Sequence, residues 1–484
     1  MLKRAVALVL SVMMLCGVLA TSVAAADQLL IAPAPNTTED TSTTSEALEI
    51  LGDDKWAEYK EKHSSYPNYE GDAIVVGSDD ITSLPKGAVI GTYDGKTNVV
   101  LVPDTGAVTW TVNVPVSGLY AMDFVYNYLV DERSKATDIE RTLRINGEVP
   151  FTEVRNLIMT KKWVDVLDNI PVVYDENGNI SDIVYDKDAS GNERRPAKKL
   201  ESKWDTYTVS DPTGNYNGEF WFYLEAGENT ITLEAQKEYL YVETLTLRAR
   251  KTLMTYEEYL AMQKAAGHLP ASQESAVRLE AEFFSSTSSR TIYGQNDRTS
   301  AITSPQHASY SWINDVGGRN GSYNWASVGQ WIEWTFTVPE SGLYTISTRF
   351  LQNSIEGLFV SRRLYLDGTV PFEEANNLQF LYDDSWQGGT LGDGEYEFEF
   401  FLEKGEHTFK LEVNFGNLGE LVAELRDCVT RVNAIYIKIL AISGSSPDPY
   451  MGKPAFGRSI FGYDQGHIHH FAGCLFANPQ PRSA

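Results

Sequence analysis

The stretch WASVGQWIEWTFTVPESGLY, which runs from Trp325 to Tyr344, decides the fold of this chain. Every second residue from Ile332 to Val338 is apolar, and the residues between them are polar. A period of two with one apolar face predicts a β-strand that is half-buried on a sheet. Pro339 has no N–H to donate and therefore ends the strand, and Gly342 supplies the turn that sends the chain back.

The same pattern occurs once more, earlier in the chain. WTVNVPVSGLY at 110–120 matches 334–344, RTLRINGEVPF at 141–151 matches RRLYLDGTVPF at 362–372, and FYLEAGE at 222–228 matches FFLEKGE at 400–406. Three blocks repeated in the same order indicate an internal duplication. The sequence therefore predicts an all-β fold of two tandem antiparallel β-sandwich modules. Trp110 and Trp334 are predicted core residues, because each shares a strand face with apolar neighbours.

Composition limits the possible partners. The chain has 484 residues, a net charge of −26 and 12% aromatic residues. An acidic surface repels phosphate backbones, so we expect no nucleic-acid partner. Many aromatic residues suit both β-sandwiches and surfaces that stack on sugar rings. Beyond the N-terminus no stretch approaches the ~20 apolar residues of a membrane-spanning helix, so we expect no transmembrane span in the mature chain.

The N-terminus has the parts of a secretory signal peptide. Residues 1–26 carry Lys3 and Arg4, then an apolar run, then the small residues Ala24–Ala26 as a cleavage site. We therefore expect a secreted protein, extracellular or at a bacterial cell surface. The alternative is a lipoprotein anchored at Cys16, but the three residues before this cysteine lack the small side chain that such processing prefers. Residues 27–45, rich in Thr and Ser, predict a disordered tether.

The remaining chain divides into a short helical segment at 46–70, a first module at 71–250, a helical linker at 251–275, a second module at 276–443 and an irregular tail at 444–484. The first module contains an insertion, Arg155–Tyr216, whose turn-forming and charged residues predict a long loop or hairpin excursion. In the second module, periodic apolar residues predict a small helical insertion over 416–432, before a last strand.

The tail differs in character from the rest of the chain. Residues 450–484 contain one acidic residue, Asp464, in an otherwise acidic protein, and they lack any sustained helical or strand period. This change indicates a frameshift or a premature end near Met451. We expect the DNA around this codon to encode further residues in another frame.

An ordered set of motifs in the second module resembles carbohydrate-binding modules of families 6 and 35. The set comprises Glu280–Glu282, GQWIEW at 329–334, VPESGLY at 338–344, Trp386, LEKGEH at 402–407 and Asn433. This resemblance implies a jelly-roll-like, galactose-binding-like β-sandwich that binds sugars without cleaving them. The first module resembles the same families more weakly.

The whole arrangement is similar to a group of bacterial extracellular solute-binding proteins for carbohydrate import. The similarity rests on the helix at 256–260, the block at 362–372 and the segment SPDPY at 446–450. In that group two such modules precede a large solute-binding domain, which this sequence lacks. The resemblance implies an oligosaccharide or polysaccharide as the partner, and an ABC permease for the full-length form.

The resemblance also implies which residues bind the ligand. Trp386 aligns with the aromatic residue that stacks on a sugar ring, and Trp204 is its counterpart in the first module. Asn433 aligns with the amide that binds sugar hydroxyls, and the first module has Glu243 at this position. For each residue the alternative is a local structural role.

Trp325 and Tyr323 lie in a loop rich in Gly, Asn and Ser just before the decisive strand. They are candidates for the second wall of a sugar-binding cleft. The alternative is that both residues pack against the module.

A structural calcium ion is the one cofactor that the resemblance raises. In the resembled modules, carboxylates at the positions of Glu280 and Glu282 help to hold this ion, and hard oxygen ligands suit it. The family supplies a further Asp two residues after the Asn, where this chain has Ile435. In the first module the two Glu positions are Gly77 and Asp79.

The sequence gives no motif for catalysis. It contains no Gly-x-Ser-x-Gly, no His-Glu-x-x-His and no phosphate-binding loop. We expect a non-enzymatic glycan-binding protein, the module pair of a carbohydrate-import protein. The alternatives are accessory modules of a truncated secreted glycoside hydrolase and a structural cell-surface spacer.

Overall fold

The computed structural model describes residues 54–298, 307–319 and 322–443. The predicted signal peptide, the tether, the first part of the 46–70 segment, Cys16 and the tail at 444–484 all lie outside the described residues. Among the helices that are described, none is both long enough and apolar enough to cross a membrane.

The prediction of an all-β fold class is confirmed, because antiparallel strands make up most of the regular secondary structure in the described chain. The strands of the first module are β1 Ile74–Val76, β2 Ile81–Ser83, β3 Val89–Tyr93, β4 Lys96–Val102, β5 Ala107–Val114, β6 Gly118–Tyr128, β7 Ile139–Ile145, β8 Leu157–Met159, β9 Trp163–Asp165, β10 Val172–Tyr174, β11 Ile180–Ile183, β12 Lys198–Leu200, β13 Asp205–Thr208, β14 Trp221–Leu224, β15 Gly227–Lys237 and β16 Leu240–Arg248. The strands of the second are β17 Ser286–Thr287, β18 Gly294–Asn296, β19 Ile313–Val316, β20 Gly318–Arg319, β21 Ser322–Tyr323, β22 Trp331–Val338, β23 Gly342–Thr345, β24 Ser347–Phe350, β25 Phe359–Leu366, β26 Leu378–Leu381, β27 Gln387–Thr390, β28 Glu399–Leu402 and β29 Gly405–Asn414.

Each module has its own apolar core between sheets. In the first module one sheet has the order β13-β6-β16-β4-β3, with β1 beside β16 and β14 beside β6, and the other has the order β2-β5-β15-β7-β8. In the second module the main sheet has the order β17-β22-β29-β25-β26, and the pairs β23-β28 and β24-β27 lie outside it. Trp110 and Trp334 are buried in these two cores, as predicted.

The repeated Pro-x-Ser-Gly-Leu-Tyr block has the same physical role in both modules. The hydroxyl of Tyr120 donates to the carbonyl of Val116 at 2.7 Å, and the hydroxyl of Tyr344 donates to the carbonyl of Glu340 at 2.8 Å. Each tyrosine therefore fixes the turn from which its own strand starts. The serine of the block in the second module is Ser341. Its hydroxyl oxygen accepts a hydrogen bond from the N–H of Lys404, in the turn between β28 and β29, at 2.8 Å.

The glycine of this block is required by a close approach of the backbone. A Cβ on Gly342 would lie 2.9 Å from the Cα of Ala271, and a Cβ on Gly118 would lie 3.0 Å from the carbonyl oxygen of Pro67. In each module the chain that enters the sandwich runs beside this strand and bonds to it, as in the 2.9 Å bond from the N–H of Leu119 to Pro67. A larger residue would separate these two segments.

Each module is preceded by a helix that belongs to its core. These helices are α1 (Trp56–His63) and α2 (Tyr256–Ala265). The Tyr59 hydroxyl accepts from the N–H of Tyr223 at 2.8 Å, and the Tyr259 hydroxyl accepts from the N–H of Phe401 at 2.9 Å. The segment predicted as a helical linker is thus packed into the second module. Short 3₁₀ helices lie at Ser78–Asp80, Thr152–Asn156, Gln273–Ser275, Glu373–Asn376 and Gly416–Leu418.

The insertion is more than the predicted loop or hairpin excursion. Its hairpin is present, since β10 pairs with β11, but β9 and β12 extend the main sheet of the second module in the order β12-β9-β17-β22. Thr287 of β17 lies opposite Trp163 of β9. The two modules therefore share one seven-stranded sheet. The turn-rich composition of the insertion concealed this pairing, because three-residue strands leave little periodicity to detect.

The prediction of a last strand after Asn433 is wrong. The predicted helical insertion instead continues as α3 (Gly419–Ser443), and Asn433 is an exposed residue within it. The physical reason is that neither Gly nor Pro occurs between residues 420 and 443. In the first module β16 pairs with β6. Among the described residues, β23 and β24, the counterparts of β6, have no such partner.

The shared sheet gives a testable prediction at Asn179, in the turn between β10 and β11. Its buried side chain accepts from the N–H of Thr337 at 2.6 Å and donates to the carbonyl of Thr337 at 3.1 Å. Asn179→Ala leaves both backbone groups unpaired, so the free energy of unfolding should fall by roughly 1–3 kcal/mol. Asn177→Ala in the same turn is the control and should change it little. Urea denaturation of both variants provides the measurement, and equal midpoints would contradict the prediction.

Candidate functional sites

Residues from three strands and one loop of the first module meet at one surface, here called the Trp204 surface. It consists of Tyr93, Lys96, Trp204, Tyr241 and Glu243. The Nζ of Lys96 lies 4.8 Å from the centre of the Trp204 ring and forms an ion pair with Glu243. The indole N–H of Trp204 donates to the carbonyl of Asp94 at 3.1 Å, which fixes the ring. The structure thus brings together two positions, Trp204 and Glu243, that the sequence had paired only by alignment.

Two tyrosines that the sequence analysis missed extend this surface. The rings of Tyr93 and Tyr241 stack with their centres 3.7 Å apart, and the rings of Tyr93 and Trp204 meet edge to face with their centres 6.3 Å apart. Tyr93 ends β3 and Lys96 starts β4, and the two turn residues between them, Asp94 and Gly95, have φ of 47° and 79°. An Asp-Gly pair is the sequence signal of a two-residue hairpin turn. This signal predicts that Tyr93 and Lys96 lie next to each other on neighbouring strands.

Polar groups surround the aromatic rings of the Trp204 surface. The side-chain amide of Asn127 donates to the hydroxyl of Ser202 at 3.0 Å, and this hydroxyl donates to Asp94 at 2.9 Å. Glu243 and Lys96 keep side-chain exposures of 28% and 32%. Solvent can therefore reach both charges, and so can a ligand hydroxyl.

Trp386 lies on the second module in a different setting. It is half-buried, directly precedes β27, and has the guanidinium of Arg349 at 5.7 Å from its ring centre. The ligand role of Trp386 stays a prediction, but the amide that was expected beside it lies in a helix.

Trp325 and Tyr323, predicted together as one wall of a cleft, have different surroundings in the structure. Trp325 is half-buried against the second core, its indole N–H donates to the carbonyl of Gln330 at 3.2 Å, and the guanidinium of Arg362 lies 4.3 Å from its ring centre. This geometry favours the packing role. Tyr323 is 40% exposed and lines a cleft.

The cleft has a volume of about 790 Å³ and lies between the insertion and the second module. Its walls include Trp163, Arg195 and Lys198 from the insertion and Arg290, Tyr293 and Tyr323 from the second module. The sequence offered no signal for it, because its first wall exists only through the pairing of β9 with β17.

The two residues predicted as calcium ligands have different surroundings, and their role as ligands stays a prediction. Glu280 forms an ion pair with Arg278 at 2.8 Å, whereas Glu282 is buried. Burial, together with the nearby carboxyls of Glu280 and Asp315, raises the pKa of Glu282 to about 8. Within the described residues no three His, Cys, Asp or Glu side chains form a group that could hold a metal. Ile435, at the position of the family's further Asp, lies in α3.

Searches against known proteins gave only distant likenesses. No protein-family model matches the sequence, and no curated protein matches it. Among solved structures, a family 35 carbohydrate-binding module from Clostridium thermocellum has 16% identity and a TM-score of 0.19, covering 37% of this chain and 98% of that one. The C-terminal CBM6 of the laminarinase LamC from Zobellia galactanivorans has 12% identity and a TM-score of 0.20, covering 37% and 100%.

A third similar structure is the GH26-CBM35 β-(1,4)-mannanase of Podospora anserina, with 11% identity and a TM-score of 0.20. The match covers 41% of this chain but 35% of the mannanase chain. TM-scores of about 0.2 at such low identity do not show what this chain does, so its role is argued from its own residues.

Glu282 gives a prediction for stability against pH. Its pKa in the folded protein, about 8, exceeds the ordinary value of 4.5, so unfolding releases a proton between these values. Stability should therefore fall as pH rises through this window. Glu282→Gln removes this loss, and at about pH 9 the variant should be more stable than the parent by roughly 1–3 kcal/mol.

Glu274→Gln is the matched control, because Glu274 is exposed and is not among the carboxyls that raise the pKa of Glu282. Melting temperatures measured from about pH 5 to pH 9 test the prediction. Parallel curves for the parent and Glu282→Gln would contradict it.

Proposed function

We propose that this protein is a secreted, non-catalytic glycan-binding protein whose first module binds its ligand at the Trp204 surface. One observation carries the proposal. Trp204 and Glu243, which the sequence resemblance matches to the sugar-stacking aromatic and the hydroxyl-binding amide, meet at a single surface through Lys96.

The chemistry of this surface suits a sugar. The C–H face of a pyranose can lie on an indole ring, and the half-buried ring of Trp204 offers such a platform. Lys96 supplies N–H donors and Glu243 supplies acceptors, so that a pair of neighbouring hydroxyls can bind to both. The negative charge of Glu243 is paired with the positive charge of Lys96 rather than with a second carboxylate, which favours binding over the paired-carboxylate chemistry of a glycosidase.

We further propose that the module pair serves carbohydrate import in a bacterium, with an ABC permease as partner of the full-length form. The support is the sequence similarity at 256–260, 362–372 and 446–450. Permease genes beside the coding sequence would support this context. Hydrolysis of an oligosaccharide by the pure protein would instead favour accessory modules of a glycoside hydrolase.

The binding proposal predicts the effect of Trp204→Ala. Loss of the stacking ring should weaken binding of a neutral plant oligosaccharide by about 1–3 kcal/mol, the size of one buried aromatic contact. Tyr174→Ala is the control, because Tyr174 is an aromatic residue with 59% exposure on the β10–β11 hairpin. Calorimetry against xylo-, manno- and galacto-oligosaccharides is the measurement.

The same titrations with Trp386→Ala report on the second module, where a weaker loss is expected. The binding proposal fails if no oligosaccharide binds, or if Trp204→Ala binds as tightly as Tyr174→Ala.

A further inference from the structure

The cleft between the insertion and the second module differs in charge from the rest of the protein. The chain has 66 acidic and 40 basic residues, yet the residues that line the cleft include Arg195, Lys198 and Arg290 and no Asp or Glu. Lys198 has a carboxylate neighbour behind it, Asp165 at 2.8 Å. Arg195 and Arg290 have no carboxylate within ion-pair distance among the described residues. The wall of the cleft is therefore positive in an acidic molecule.

Arg195 is held in an orientation that favours anion binding. The carbon of its guanidinium lies 3.7 Å from the centre of the Tyr293 ring, so the two planar groups stack. A stacked guanidinium keeps the N–H donors at its edge available, and this edge matches the two oxygens of a carboxylate or sulfate. Tyr293 is a residue of the second module, so the stack also joins the two walls of the cleft.

Two further polar groups of the cleft lack a full set of partners. The side-chain oxygen of Asn324 is buried and has no hydrogen-bond partner among the described residues. Lys198 has a side-chain exposure of 6%, and its ammonium has three N–H donors but only Asp165 as an ionic partner. Because Asn324 and Lys198 are largely buried, the cationic groups that a ligand can reach directly are the exposed residues Arg195 and Arg290.

We propose that this cleft is a second saccharide site, selective for sugars that carry a carboxylate or a sulfate. The proposal rests on the proposed glycan-binding function for the class of ligand, but it concerns different residues from the Trp204 surface. The volume of about 790 Å³ lies within the range of about 300–1,000 Å³ found for small-ligand sites. Tyr323, with 40% exposure, provides an aromatic face for a sugar ring. Arg195 and Arg290 bind the anionic group.

The test compares charged and neutral probes on the full chain. In about 50 mM salt, trigalacturonate or a sulfated carrageenan tetrasaccharide should bind at least about tenfold more tightly than galactotriose, and added salt should reduce the difference. The two charged probes distinguish a carboxylate from a sulfate as the recognised group. Equal affinity for galactotriose and both charged probes would overturn the proposal.

Substitutions locate the charge recognition. Arg195→Gln should weaken binding of the preferred charged probe about tenfold, and Arg290→Gln should weaken it in the same direction. Arg194→Gln is the matched control, because Arg194 is the exposed neighbour of Arg195 but does not line the cleft. Circular dichroism confirms that each variant is folded. Equal losses in Arg194→Gln and Arg195→Gln would overturn the proposal.

The experiment separates this inference from the proposed function. Neutral oligosaccharides and Trp204→Ala report on the Trp204 surface, whereas charged probes and the two arginine variants report on the cleft. If neutral glycans bind but no charged probe binds more tightly than its neutral counterpart, the cleft proposal fails alone. If no saccharide of either kind binds, both proposals fail.

Discussion

The pairing of β9 with β17 is the interaction on which the arrangement of the modules depends. β17 is a two-residue strand at the edge of the second module's main sheet, and β9 of the insertion lies beside it. The insertion also covers the strand face that points away from the second core. There the indole N–H of Trp331 donates to Thr160 at 2.9 Å, and Glu333 is 9% exposed. Without the insertion, Trp331 and an open sheet edge would face solvent.

The residues that the sequence predicts well are those whose roles are local. Alternation placed Trp110 and Trp334 in the cores, and the duplicated blocks placed the two tyrosine-anchored turns, because strand faces and turns depend on neighbours in sequence. Alternation cannot reveal what covers the second face of a strand. Trp331 and Glu333 lie on that second face, and a distant segment buries them.

The candidate sites show the same difference between residues with local roles and residues whose surroundings come from distant segments. Alignment of the two copies selected Trp204 and Glu243, but Lys96, which joins them, comes from a hairpin that the alignment did not consider. The arginines of the cleft were not foreseen because Arg195 reaches Tyr293 only through the shared sheet. The strand predicted after Asn433 is instead part of a helix, because helix propensity over 419–443 prevails where the first module has β16. The two copies have thus diverged: one retains its closing strand and an aromatic surface, and the other gains a composite cleft.

Residue-resolved hydrogen exchange on the full chain tests this central claim most directly. If the insertion completes the second module's sheet, amides of Trp163–Asp165 and Ser286–Thr287 should be protected and should open together with the neighbouring strand Trp331–Val338. Exchange of the whole insertion at the rate of an exposed loop, while Trp331–Val338 stays protected, would contradict the account.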